Sequence, residues 1–127
     1  MKKESGIKKL INSFKFAFSG CKLTFQAEQN MKIHTIIALL VLILGVVFEI
    51  SHVEWMFLVI VIGLVISAEI INTSIENLVD LVTLEHREKA RVAKDTSAAF
   101  VLILSGVAVI IGLIIFIPKI LEMIGRL

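Results

Sequence analysis

The stretch WMFLVIVIGLVISAEIINTSIENLVD, residues 55–80, decides the fold, because its apolar run leads without interruption into a ladder of polar side chains. The polar ladder consists of Glu69, Asn72, Glu76 and Asp80, with spacings of three, four and four residues. At about 100° per residue, these four side chains fall on one face of an α-helix. An ionisable residue that ends an apolar run is expensive in lipid and indicates a functional site. Three carboxylates and one carboxamide on one face suggest a metal, a proton relay or a phosphate-bearing ligand.

The composition is that of a membrane protein. The chain has 127 residues, 57% of them hydrophobic, and a mean hydropathy of +0.96, which is too apolar for a water-soluble domain of this size. A bilayer core needs about 20 apolar residues. We therefore predict one membrane-embedded domain over residues 1–127, with spans at about 33–50, 55–71 and 98–117. Cys21 is the single cysteine, so no internal disulfide can form.

Lysine and arginine are distributed unevenly along the chain. Residues 1–32 carry seven lysines and residues 85–96 carry two lysines and two arginines, whereas residues 49–54 carry neither type. Cytoplasmic loops of membrane proteins carry the excess of positive charge. The pattern predicts that the N-terminus and the segment 72–96 are cytoplasmic, and that the 49–54 turn and the C-terminus lie outside.

Residues 6–19 show the pattern of a helix that lies on the membrane surface. Apolar and polar side chains recur there at helical spacing on opposite sides. The apolar set is Ile7, Leu10, Ile11, Phe14, Ala17 and Phe18, and the polar set is Lys8, Lys9, Asn12 and Lys15. Gly20 is predicted to break or bend this helix, since glycine is a poor helix former.

The second span is predicted to continue as one long helix into the cytoplasm. Neither glycine nor proline occurs in residues 64–105, so nothing there interrupts a helix. A break is expected near 83–87, where β-branched and charged residues cluster. A second short helical piece then carries Lys94 and Asp95 into the third span, which Pro118 is predicted to end.

Several charged residues have the chemistry that phosphate transfer requires. Glu28 and Glu76 could supply oxygen ligands to Mg²⁺, which takes one or two carboxylates together with phosphate oxygens and water. Lys94 could meet a phosphate as a point charge, and Asp95 beside it could orient water, metal or ribose. Glu69, nearer the bilayer, could accept a proton from a lipid hydroxyl. No GxxxxGK[ST] or GxGxxG motif is present, so a nucleotide would bind by an unusual route.

Plainer interpretations stay open for some of the same residues. Glu76 and Asp80 could form no more than a solvated helix face, and Asn72 could simply join two helices by a hydrogen bond. The histidines have no spacing typical of metal ligands, so we expect structural or interfacial roles for them. His86 is also a candidate for a ligand pocket. The other two histidines are His34 and His52.

Two stretches, AEIINTSIENLVD at 68–80 and AKDTSAAFVL at 93–102, resemble the prokaryotic diacylglycerol kinase family. The family pattern is roughly E-x-x-N-[ST]-x-[IV]-E-x-x-x-D, then a spacer and A-K-D. Each of its elements is present, and Gly20 and Glu28 upstream also fit. The resemblance covers essentially the whole chain. It implies an all-α integral membrane lipid kinase of the bacterial cell membrane, with an N-terminal amphipathic surface helix and three transmembrane helices. It also implies a homotrimer with active sites at subunit interfaces.

The resemblance assigns roles to individual residues. Glu69 would be the general base and would contact the lipid acceptor together with Ala98, while Glu28 and Glu76 would hold Mg²⁺. Asp80 would support the site. The residues implied to bind ATP are Lys9, Phe16, Glu28, Asn72, Glu76, Glu85, His86, Arg87, Lys94 and Asp95.

The family comprises two substrate branches. One branch phosphorylates diacylglycerol, and the other, typical of Gram-positive bacteria, phosphorylates undecaprenol. The sequence SAEIINTSIENLVDLV at 67–82 is more similar to the undecaprenol kinase branch. The chain departs from the family at Lys9, where an arginine is expected, and at Phe16, where a tyrosine is expected. The resemblance implies ATP-dependent phosphorylation of undecaprenol, with diacylglycerol as the alternative acceptor and no nucleic acid partner.

The intramembrane carboxylate also suggests a second class of function, a small ion or proton transporter. A transporter needs polar residues at several depths, yet the first and third spans offer only Thr35 and Ser105. A structural or regulatory membrane protein would leave the clustered charged motifs unexplained. Three thin spans cannot enclose a polar ladder, so we expect Glu69 and Asn72 to face a neighbouring chain or lipid, in agreement with a trimer.

Overall fold

The structure, a computed structural model, describes residues 6–125, and within them the chain forms four α-helices. These are α1 (Gly6–Ala27), α2 (Gln29–Val47), α3 (His52–Val82) and α4 (Glu88–Gly125). By length and composition, α2, α3 and α4 can each cross a membrane. The prediction of an all-α architecture with three candidate spans is confirmed. Lys2, Lys3 and Arg126, which contribute to the charge count, lie outside the described residues.

The first helix is longer than its sequence pattern predicts. α1 continues through Gly20 to Ala27, so the predicted break or end near residue 19 is wrong. One glycine costs a helix only about 1 kcal/mol, which its neighbours can offset. The hydroxyl of Thr24 donates to the carbonyl of Gly20 at 3.1 Å, and Thr24 is the buried residue of this helix. The chain turns instead at Glu28, whose backbone is extended.

The turn between α2 and α3 lies at residues 48–51, so the predicted span at 33–50 reaches beyond the end of α2. Ser51 and Glu54 form a capping box: the Ser51 hydroxyl accepts from the Glu54 amide at 3.3 Å, and the Glu54 carboxylate accepts from the Ser51 amide at 2.7 Å. Both bonds satisfy amides that the first turn of a helix leaves without partners. The cap starts α3 at a defined residue.

The predicted outer ends of α2, α3 and α4, beside the turn at residues 48–51, enclose an apolar core. Its buried members are Ile50, Leu58, Ile115 and Phe116. Gly45 lies against the ring of Trp55, where an added Cβ would come within 2.8 Å of the indole. Glycine is therefore required by the close approach of the indole, and the two helices meet at this point.

The third and fourth helices form the main hairpin of the protein. The predicted long helix from the second span is confirmed, because α3 runs without interruption to Val82 and residues 83–87 connect it to α4. No separate short piece precedes the third span, and α4 also continues past Pro118 to Gly125, so both of those predictions are wrong. Proline is tolerated in transmembrane helices where neighbouring groups compensate for the lost amide. Beside it, Lys119 lies 3.4 Å from Glu54 of α3 and ties the two helices together.

Candidate active site

The polar ladder of α3 extends from a buried to an exposed environment. Glu69 is only 2% exposed, Asn72 is buried, Glu76 is half-buried and Asp80 is exposed. The ladder therefore connects the interior of the helix bundle with the predicted cytoplasmic end of the hairpin.

A single chain already buries the first two residues of this ladder, Glu69 and Asn72. Glu69 is 2% and Asn72 7% exposed, so the premise that three spans cannot enclose these two residues is wrong. Ala68 of α3 and Ser97 of α4 are buried, and Ser97 lies against Asn72 where the two helices meet; small residues of this kind allow helices to approach closely. The residues of α2 near its start cover the remaining side.

A hydrogen-bond chain joins the two helices through Asn72. The amide nitrogen of Asn72 donates to Oε1 of Glu76 at 3.0 Å, and its oxygen accepts from the hydroxyl of Ser97 at 2.6 Å. A carboxylate can only accept, so the orientation of the amide follows from its partners. Asn72 thus joins two helices, as its plainer interpretation expected, and it also orients the carboxylate of Glu76. The sequence predicted no role for Ser97, although it lies in the AKDTS motif.

His34 of α2 is next to the predicted base. Its Nε2 lies 3.1 Å from Oε1 of Glu69, and the His34 side chain is 22% exposed. Among residues 6–125, no hydrogen bond of good geometry reaches this buried carboxylate oxygen, so the ring and the carboxylate are adjacent without being aligned. The sequence suggested only a structural or interfacial place for His34, because no spacing relates positions so distant along the chain.

A polar cavity of about 290 Å³ opens beside Glu69. It is lined by Asn30, Ile33, His34, Glu69, Asn72, Ala98, Val101, Leu102 and Ser105. Two of its buried polar atoms, Oε1 of Glu69 and Oγ of Ser105, have no hydrogen-bond partner within the described part of the chain. Unpaired buried polar atoms are costly, so a cavity that keeps two of them is suited to a ligand with a polar group.

An apolar groove of about 360 Å³ adjoins this polar cavity. It lies between α2, α3 and α4, and its lining is aliphatic and aromatic apart from His34 and Ser105. Those two residues line the polar cavity as well, so the two spaces adjoin at His34 and Ser105. An elongated apolar molecule with a polar end fits this combination.

A second polar cleft of about 250 Å³ lies at the end of the hairpin, beyond Asp80. It is lined by Val79, Asp80, Thr83, Leu84, Glu85, His86, Arg87, Ala90, Arg91, Lys94 and Asp95. Six residues of the predicted site, five of them assigned to ATP, are thereby brought together. Lys94 donates to Asp80 at 2.6 Å, and Arg87 to Glu85 at 2.9 Å. Arg91 is a further cation in the cleft that the sequence patterns did not single out.

The residues predicted on α1 stand apart from these cavities. Lys9 and Phe16 are exposed and line neither polar cavity, and Glu28 is half-buried where α1 meets α2. The negative charges of Glu28 and Glu76 both act on Glu69, which places the three carboxylates in one neighbourhood.

The carboxylates fit a magnesium ion only in the presence of a phosphate ligand. Within residues 6–125, no group of three or more His, Cys, Asp or Glu side chains is arranged to hold a metal ion. Mg²⁺ in nucleotide sites usually takes one or two carboxylates and completes its shell with phosphate oxygens and water. Glu28 and Glu76 remain the donors that the sequence predicts for such a site.

Comparison with known proteins identifies the family. The model of the prokaryotic diacylglycerol kinase family matches residues 15–116. The chain belongs to this family. It is 40% identical to the undecaprenol kinase of Bacillus subtilis over 113 residues, which are 89% of this chain and 92% of that protein.

Two diacylglycerol kinases are also similar to the chain. The protein from Haemophilus influenzae is 30% identical over 91% of this chain and 99% of its own length. The protein from Synechocystis is 31% identical over 90% of this chain and 66% of its own length. Relatives and family model alike are lipid kinases, so the chain is a bacterial membrane phosphotransferase that acts on a lipid, and membership of a kinase family implies the use of ATP.

Proposed function

We propose that this protein transfers the γ-phosphate of ATP to the hydroxyl of undecaprenol, with Glu69 as general base. The observation that carries the proposal is the position of Glu69, buried where an apolar groove meets a polar cavity. A lipid alcohol has the same two parts, a long apolar chain and one hydroxyl. The unpartnered oxygens of Glu69 and Ser105 are suited to receive that hydroxyl.

The proposed chemistry needs little more than position and charge. Phosphoryl transfer depends mainly on the alignment of the two substrates and on neutralisation of phosphate charge. Glu69 would accept the hydroxyl proton as the lipid oxygen attacks the γ-phosphorus and the bond to ADP breaks. A positioned base contributes on the order of 10²–10⁴-fold to such a reaction.

The nucleotide would bind along the end of the polar ladder that contains Glu76 and Asp80. The cleft beyond Asp80 contains Arg87, Arg91 and Lys94, whose charges suit phosphate groups. Lys94 is paired with Asp80, and we propose that a phosphate competes for it. Glu28 and Glu76 would hold Mg²⁺, which supplies charge neutralisation at the phosphates, and Asn72 keeps Glu76 oriented for that task.

Undecaprenol is the proposed acceptor on two grounds. The undecaprenol kinase of Bacillus subtilis is 40% identical to this chain, against 30–31% for the two diacylglycerol kinases compared. The groove beside the Glu69 cavity is lined almost entirely by apolar side chains, which suits a long run of isoprene units. Diacylglycerol is the second candidate, because most of the related proteins carry that name.

One assay decides between the two acceptors. Purified protein in mixed micelles is given ATP with a labelled γ-phosphate and either undecaprenol or diacylglycerol at equal mole fraction. We expect faster transfer to undecaprenol and none in the absence of lipid. A clear preference for diacylglycerol would reverse the proposed acceptor while leaving the kinase assignment intact.

The proposed assembly is a homotrimer with the surface helix on the cytoplasmic face. The apolar side chains of α1, such as Ile7, Phe14 and Phe18, are exposed in the single chain, as expected for a helix that lies in the interface. Crosslinking or native mass measurement in detergent is expected to detect three chains. A monomer with full activity would rule out shared sites.

The proposed orientation can be measured by labelling with a membrane-impermeant thiol reagent. The native Cys21 is exposed, so it is first replaced by serine. A cysteine introduced at His52 is expected to react in intact cells, and one at Lys89 only after the membrane is opened. Equal labelling of both positions in intact cells would contradict an inside N-terminus.

A further inference from the structure

His34 is the one polar side chain in contact with the Glu69 carboxylate within residues 6–125. Nε2 of His34 lies 3.1 Å from Oε1 of Glu69. Thr73, one turn further along α3, donates to the backbone carbonyl of Glu69 and not to its carboxylate. Asn72 is engaged with Glu76 and Ser97. Within residues 6–125, no hydrogen bond from α3 or α4 therefore fixes the orientation of the carboxylate.

The geometry of the pair is suited to a positioning role. A neutral imidazole can donate one ring N–H, and each carboxylate oxygen has two acceptor positions. His34 can thus donate to Oε1 while the carboxylate still accepts the hydroxyl of a lipid. Catalytic hydrogen bonds are often poorly aligned in the free enzyme and tighten when substrate binds. The close but unaligned contact between His34 and Glu69 is of this kind.

The location of His34 connects the two substrate spaces. His34 lines both the polar cavity with Glu69 and the apolar groove, and it is anchored on α2 rather than on the helix that carries Glu69. A lipid chain that enters the groove would pass this ring before its hydroxyl reaches the carboxylate. Contact with the lipid can therefore align the His34 ring with the Glu69 carboxylate.

We propose that His34 is a positioning residue that fixes the Glu69 carboxylate toward the lipid hydroxyl. This inference rests on the proposed role of Glu69 as base. It assigns the histidine no proton transfer in the reaction, since its N–H stays on the ring and is donated to the carboxylate once the lipid has aligned the pair. The expected signature is a loss in kcat without a matching change in the KM for ATP.

Two substitutions separate hydrogen bonding from packing. His34→Leu keeps an apolar side chain of similar reach and removes the donor, whereas His34→Gln keeps an N–H donor. A misplaced catalytic group can cost about 10²-fold in rate. We expect His34→Leu to lower kcat by roughly that factor and His34→Gln to recover most of it, with the KM for ATP unchanged in both. A kcat for His34→Leu within about twofold of the unmodified protein would overturn the proposal.

A double-mutant cycle distinguishes failure of this inference from failure of the proposed function. If His34 acts through Glu69, then adding His34→Leu to Glu69→Gln causes little further loss, because residues that act as a unit are non-additive. Fully additive losses would show that His34 acts elsewhere and would overturn the inference alone. Normal turnover of the single variant Glu69→Gln would instead remove the base from the proposed function.

Discussion

Different interactions stabilise the two ends of the α3–α4 hairpin. At the outer end, Leu58, Ile115 and Phe116 pack in an apolar core, and the capping box of Ser51 closes the turn. At the other end, buried polar side chains meet through directional bonds, with the 2.6 Å contact between Ser97 and Asn72 as an example. An apolar core gains stability from burial, whereas a buried carboxylate without an aligned partner costs stability. The comparison indicates that one end maintains the fold, and the other end is where we propose the chemistry.

The largest effect is expected at the polar end, from Glu69→Gln. The variant keeps the size and polarity of the side chain and loses the base. We expect kcat to fall by on the order of 10²–10⁴-fold with nucleotide and lipid binding retained. Glu49→Gln, in the outer turn, serves as the matched control and is expected to turn over normally. Loss of activity through loss of ATP binding alone would contradict the assignment of Glu69.

Glu76→Gln is expected to have the next largest effect. A bound Mg²⁺ supplies several kcal/mol of charge stabilisation, so we expect activity to fall on the order of 10²-fold and the Mg²⁺ requirement for ATP binding to rise. Titration of nucleotide binding against Mg²⁺ measures this directly. The exposed Glu88, replaced in the same way, is the control. Normal turnover of Glu76→Gln would mean that the carboxylate belongs to a solvated helix face.

A third substitution tests whether the apolar groove beside the polar end binds the lipid chain. Gly112 lines the groove, and a Cβ added there meets open space, so Gly112→Phe is expected to fill the groove without disturbing the backbone. Displacing two methylene groups of the lipid costs about 1.6 kcal/mol, which predicts a rise in the lipid KM of roughly tenfold. The KM for ATP is expected to stay constant. Gly106→Phe, also at an open position and outside the groove, is the control. An equal rise in both variants would remove the groove as the site of the lipid chain.

The smallest effect on catalysis is expected at the outer end, from Gly45→Ala. The added Cβ would come within 2.8 Å of the Trp55 ring and 3.1 Å of Ile50. Overpacking of this kind costs about 1–3 kcal/mol, so thermal unfolding in detergent is expected at a lower temperature with kcat nearly unchanged. Gly63→Ala, which meets no atom within 4 Å, is expected to be neutral. A large loss of kcat in Gly45→Ala without destabilisation would contradict the division between the two ends.

Helix existence was predictable from the sequence and helix ends were only partly so. The absence of glycine and proline over 64–105 correctly indicated the long α3, and the clustered β-branched and charged residues indicated the break at 83–87. The single breakers, Gly20 and Pro118, were overridden because tertiary contacts and neighbouring residues compensate for one weak position. Local propensity therefore located the elements, and packing decided where they end.

The candidate site divides in the same way. Residues that recur at helical spacing on α3, and the charged group beside Lys94, could be predicted because they share one element or one short stretch. His34, Ser97 and Arg91 could not, since their importance depends on which helices lie side by side. No periodicity relates α2 to α3 across the intervening turn. A contact between distant elements is visible only in three dimensions.

The sequence by itself determined the membrane environment, the helical architecture, the polar ladder and the family, because hydropathy, periodicity and short motifs are local properties of the chain. Only the tertiary structure decided that a single chain buries Glu69, that Asn72 bridges Glu76 to Ser97, and that an apolar groove lies beside the polar cavity. The physical reason is that burial and hydrogen bonding across helices depend on how closely backbones approach. Small residues such as Ser97, which contacts Asn72 between α4 and α3, allow that approach.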